Sequence, residues 1–78
     1  MSKERGRRKL MLRLPDIRHL LESLTSEALA EMFESYDLAV DALERFRSRS
    51  PRDEKLIIEY EQLCHEIEQE VVVYCKNR

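Results

Sequence analysis

The chain has 78 residues and a net charge of −2, room for one small domain and no more. One glycine and two prolines leave few turns for a sheet, and a 42% hydrophobic content is too high for a wholly disordered chain. No apolar run approaches the roughly 20 residues that a membrane span needs.

The even balance conceals a segregation of charge. Residues 1–13 hold Lys3, Arg5, Arg7, Arg8, Lys9 and Arg13 against Glu4 alone. Residues 26–47 hold Glu27, Glu31, Glu34, Asp37, Asp41 and Glu44 against Arg45 and Arg47, and the stretch after Leu56 is acidic again. The expected organisation is a flexible basic arm, residues 1–14, ahead of one acidic helical domain, residues 15–78. Such an arm could touch phosphate backbones or an acidic protein or membrane surface, or serve only solubility. It has no aromatic residue on which bases could stack. Leu10 to Leu14 is interrupted by Arg13 and closed by Pro15, too short for the apolar part of a signal peptide. The expected compartment is therefore the cytoplasm, where Cys64 and Cys75 stay reduced.

Three helices follow in the chain, at about 15–24, 26–48 and 51–76. Pro15 suits a first helical position, Asp16 the positive end of the helix dipole, and Ile17, Leu20, Leu21 and Leu24 recur at i, i+3, i+4 and i+7. Thr25 and Ser26 are capping residues with Glu27 in the first turn after them. Beyond them Leu29, Tyr36 and Leu43 share one heptad position and Met32, Ala39 and Phe46 the other. Phe33 and Val40 widen the stripe. For the last helix the spacing predicts Ser50 as N-cap, Pro51 as first residue and Asp53 as the far side of a capping box. Its apolar face is Leu56, Ile57, Tyr60, Leu63, Cys64, Ile67, Val71 and Tyr74, and the run Val71 to Val73 lowers helix propensity at its end.

The joint Ser48-Arg49-Ser50 is too short for anything but an antiparallel connection. The predicted fold is thus all-α: a short N-terminal helix and a long antiparallel helical hairpin, a three-helix protomer. The arms of that hairpin, roughly 33 to 39 Å long, are too long for the first helix to cover. A second copy would complete a four-helix bundle, so a homodimer is expected.

Chemistry finds little purchase in this sequence. Cys64 and Cys75 lie some 16 Å apart along one helix and cannot bridge each other. Glu61, His65 and Glu68 could share a face, but Gln62 stands where the Glu-x-x-His motif of di-iron bundles needs a carboxylate. His19 stands alone beside Arg18, the serines have no paired base, and Gly6 cannot make a phosphate loop by itself. Neither an enzyme nor a cofactor or metal site is expected.

Leu29-Ala30-Glu31, followed by Val40, Leu43 and Phe46, resembles the apolar framework of a bacterial helix-turn-helix segment, which implies a DNA-binding regulator. Glu34, Ser35 and Tyr36 replace its turn glycine, and Asp37, Asp41 and Glu44 would face the phosphates. The order of a short leucine-rich entry and two long capped helices is similar to that of small helical regulators, the sporulation aspartyl-phosphatases and the quorum-sensing antiactivators. Those proteins dock on larger regulators, although Glu61-Gln62-Leu63-Cys64-His65 stands where the phosphatases carry Ser-Gln-Glu-Leu-Asp.

The expected function is a small non-enzymatic interaction module, a regulator or adaptor that binds a larger protein through apolar helix faces. Its candidate contacts are Leu29, Met32, Phe33, Tyr36, Val40, Leu43 and Phe46, with Ile57, Tyr60, Leu63, Ile67, Val71 and Tyr74 opposite. The alternative is a nucleic-acid-binding transcriptional regulator, helix-turn-helix-like or acting through Lys3, Arg5, Arg7, Arg8, Lys9 and Arg13 of the basic segment.

Overall fold

The computed structural model describes residues 2–77, so Met1 and Arg78, the outer ends of the two predicted segments, lie outside the described residues. Four α-helices follow one another: α1 (Ser2–Arg13), α2 (Arg18–Ser23), α3 (Glu27–Ser48) and α4 (Glu54–Lys76). A single 3-10 turn, Pro15–Ile17, links the first two. Among the described residues there is no strand, and the all-α class holds.

The segment expected as a flexible arm is instead a helix seated on α3. Its residues are mostly good helix formers, Arg13 lies in its last turn, and Glu4 pairs with Arg7 one turn on at 2.6 Å. Leu10 is fully buried, an apolar anchor that charge counting overlooks. Gly6 is buried too, and a Cβ there would overlap the carbonyl of Phe33. The absent side chain is what lets α1 approach the backbone of α3 so closely.

The predicted helix at 15–24 is shorter and split. Pro15 opens the 3-10 turn, α2 starts at Arg18, and Leu24 turns extended. The apolar stripe still faces inward, with Ile17 and Leu21 buried and Leu20 and Leu24 half-buried. Of the two capping residues before α3, Ser26 is the N-cap, its hydroxyl accepting from the Leu29 amide at 3.3 Å.

The start of α4 differs from the expectation. Asp53, not Ser50, is the N-cap, its carboxylate accepting from the Leu56 amide at 3.2 Å. Pro51 lies outside the helix, in a connection running from Arg49 to Asp53. The Asp53 carboxylate, rather than the Ser50 hydroxyl, meets the first free amides of the helix, and the residues from Arg49 to Asp53 take up the turn. Arg49 places its guanidinium over the Phe46 ring, 5.3 Å from the centroid, and Phe46 meets Tyr60 with ring centroids 5.2 Å apart. The Val71–Val73 run remains helical to Lys76.

Contacts between α3 and α4 pair Ser26 with Tyr74, Tyr36 with Glu68 and Arg47 with Glu61. Partner numbers fall as α3 numbers rise, the order made by two helices running past each other in opposite directions. The core lies between them and under α1 and α2. It is built from Leu10, Leu21, Leu29, Phe33, Tyr36, Leu43, Ile57, Ile67 and Val71.

Candidate functional site

Two surfaces bear on function: the basic segment and the outer face of the α3/α4 pair. In the first, Arg5 and Lys9 are one turn apart on α1, and Asp37 and Asp41 are one turn apart on α3. Matching periods bring the four together. Lys9 Nζ lies 2.6 Å from Asp37 and 3.1 Å from Asp41, and Arg5 reaches the same two carboxylates at 3.0 and 3.3 Å. Asp37 is fully buried. Burial alone would raise its pKa, but the hydrogen bonds and charges of Lys9 and Arg5 outweigh it and hold the carboxyl below its ordinary 3.8. For Lys9 burial pulls downward, and the two aspartates push its pKa above 10.5.

The remaining basic side chains have varied surroundings. Arg13 donates to Glu68 at 3.2 Å, and Arg7 to Glu4 and to the Glu22 carbonyl. Lys3 and Arg8 are exposed. The positive segment and the acidic helix, read from sequence as separate surfaces, thus neutralise each other within the chain. Asp37 and Asp41, which the helix-turn-helix likeness turned outward, face α1.

The interior polar group opposite them is Glu68. It accepts from the Tyr36 hydroxyl at 2.6 Å and lies 3.9 Å from His65 Nδ1. Burial, then the bond to Glu68, pushes the Tyr36 hydroxyl well above its ordinary pKa. Glu61, third member of the His65 face, is taken by Arg47 at 2.7 Å. Among the described residues no group of three His, Cys, Asp or Glu side chains could hold a metal ion. Both cysteines are buried, and burial raises the Cys64 thiol.

Of the apolar residues singled out from sequence, Leu29, Phe33, Tyr36, Leu43, Ile57, Ile67 and Val71 are buried in the protomer core. Met32, Val40, Phe46, Tyr60 and Tyr74 are half-buried, and Leu63 is exposed. Periodicity missed Leu38 and Val73, which are 61% and 54% exposed although each is large and apolar. They fall outside the inward stripe, so only their neighbours in space give them meaning.

Those neighbours form a trough. One hollow is lined by Met32, Glu70, Val73 and Tyr74, the next by Met32, Ser35, Leu63, Ile67 and Glu70, and a third by Ser35, Leu38, Ala42, Arg45, Tyr60 and Leu63. Shared members, Met32 and Glu70 and then Ser35 and Leu63, join the three into one apolar strip along α3 and α4. The first hollow spans about 830 Å³ but lies open to solvent, a form suited to a helix face rather than to an enclosed small molecule.

Fold and surfaces together define a small all-α protein with an apolar trough and an internally paired basic helix. No protein-family model matches the chain, and neither a curated protein nor a solved structure matches it. Among the described residues no helix is long and apolar enough to cross a membrane.

Proposed function

We propose that the protein is a small non-enzymatic interaction module, a cytoplasmic regulator or adaptor that binds other protein through the trough between α3 and α4. The observation that carries this reading is the exposure of Leu38, Leu63 and Val73 along one strip. Contiguous apolar surface open to water costs stability unless something covers it, and a partner helix laid in the trough would cover it. Glu31 and Glu70 at its edge would then set specificity and association rate more than affinity. A helical hairpin that takes two further helices becomes a four-helix bundle, which fits a homodimer. The nucleic-acid alternative loses support from the pairing of Arg5 and Lys9 with Asp37 and Asp41, since charges spent inside the chain release few counterions from a phosphate backbone.

The test is site-specific photo-crosslinking of the full chain in native lysate. A probe at Leu63 or Val73 is expected to give adducts with protein, while one at exposed Arg8 on α1 gives few. Adducts from Arg8 but not from the trough would refute the reading. Duplex binding with a steep salt dependence, weakened by neutralising the exposed Lys3 and Arg8, would instead favour the nucleic-acid regulator.

A further inference from the structure

We infer that the occupant of the trough is a second copy of this chain, docked antiparallel about a two-fold axis through Leu38. This occupant presupposes that the trough is a protein-contact surface and adds what fills it. The ground for it is a stripe on α3 that is complementary to itself. Glu31, Leu38 and Arg45 are seven residues apart, close to two whole turns each, so they share one side of the helix over roughly 21 Å. All three are exposed and all three line the trough. Among the described residues neither Glu31 nor Arg45 has an ion-pair partner, whereas Asp37 and Asp41, one face away, are bonded to α1.

A two-fold axis at Leu38 reverses the stripe. Leu38 then meets the partner's Leu38, Glu31 faces the partner's Arg45, and Arg45 faces the partner's Glu31. A parallel copy would place like charge on like charge at both ends. Ala28, Ser35 and Ala42 repeat at the same seven-residue interval beside the stripe, and their small side chains let the two α3 backbones approach. Leu63 lines the same hollow as Leu38, so the docked copy also covers Leu63 and closes four long helices around one apolar seam. Helix α1 is held on the Asp37 face of α3 and leaves that approach clear.

Sedimentation velocity on the full chain over a dilution series tests the arrangement. The unaltered chain is expected to dimerise reversibly. Glu31→Arg and Arg45→Glu should each weaken the dimer by about tenfold or more, because two attractive pairs become two repulsive ones. Mixed in equal amounts, the two variants should dimerise again, since every facing pair is then Arg opposite Glu. Leu38→Gln should also give monomers, with a far-UV circular dichroism melt showing that the fold persists. A monomeric unaltered chain at the highest soluble concentration overturns the proposal, and so does a dimer that neither charge reversal weakens. If the chain is monomeric yet a Leu63 probe still captures another protein, self-pairing alone fails. If Leu63 captures neither, the reading of the trough fails with it.

Discussion

A methyl group at position 6 would overlap the Phe33 carbonyl, so the one glycine in the chain marks where α1 meets the α3 backbone. Alanine is the better helix former by about 1 kcal/mol, yet displacing a packed backbone costs up to roughly 3 kcal/mol. Gly6→Ala should therefore destabilise the fold by about 2 kcal/mol net in urea unfolding, against the direction of helix propensity. Asp37 is the second residue whose role is set by its surroundings. Asp37→Asn leaves half-buried Lys9 with Asp41 alone and should cost about 2 kcal/mol near neutral pH. Because its folded pKa lies below the ordinary value, the stabilisation from Asp37 is present above pH 3.8 and is lost as pH falls through the lower folded value. Lys9 has the opposite sign, its contribution being whole below pH 10.5 and lost as pH rises through its raised folded value. Unfolding measured between neutrality and strong acid should be flatter for Asp37→Asn than for the unaltered chain.

Among the elements, the two long helices differ in how openly their starts are written. Thr25 and Ser26 stand side by side before an uninterrupted apolar period, so the start of α3 was legible to within one residue. Before α4, local rules favour Ser50-Pro51 as the start and assign Asp53 to the far side of its capping box. The turn between packed helices decides for the second by taking up the chain as far as Asp53. Asp53→Ala should lower stability by about 1 kcal/mol, while Ser50→Ala should stay within a few tenths, both measured by thermal unfolding. Helix α1 was the element least legible. Its apolar content is Leu10, Met11 and Leu12, with Leu12 left 81% exposed, which is no clear stripe. The usable signal was a pair of matching intervals, Arg5 to Lys9 and Asp37 to Asp41, which only acquires meaning when the two helices are set side by side.

For the molecule as a whole, α1 changes what the charge layout means. Basic and acidic surfaces face inward toward each other, and a strip of apolar surface is left open along the trough. Amides of α1 should accordingly exchange slowly in hydrogen–deuterium exchange, at rates close to those of α3, whereas a solvated arm would exchange at once. Removal of residues 1–13 would uncover the apolar seat of Leu10 and take from Asp37 the cations that pair with it. Loss of cooperative unfolding or a marked fall in midpoint is the expected result, even though the deleted segment is the most polar in the chain.

The sequence by itself determined helical class, the inward stripes of α3 and α4, the capped start of α3 and the polarity of the two ends, because these follow from spacings within one helix. It also marked most core residues, although periodicity cannot separate a position buried in the protomer from one waiting for a partner. Tertiary structure decided that Leu29, Phe33, Tyr36, Leu43, Ile57, Ile67 and Val71 are core, and that Leu38, Leu63 and Val73 are surface. It also decided that residues 2–13 are a packed helix rather than an arm. Those outcomes depend on contacts between residues far apart in the chain, 27 positions for Gly6 on Phe33 and 28 for Lys9 on Asp37. No local spacing encodes such a contact until the helices have been brought together.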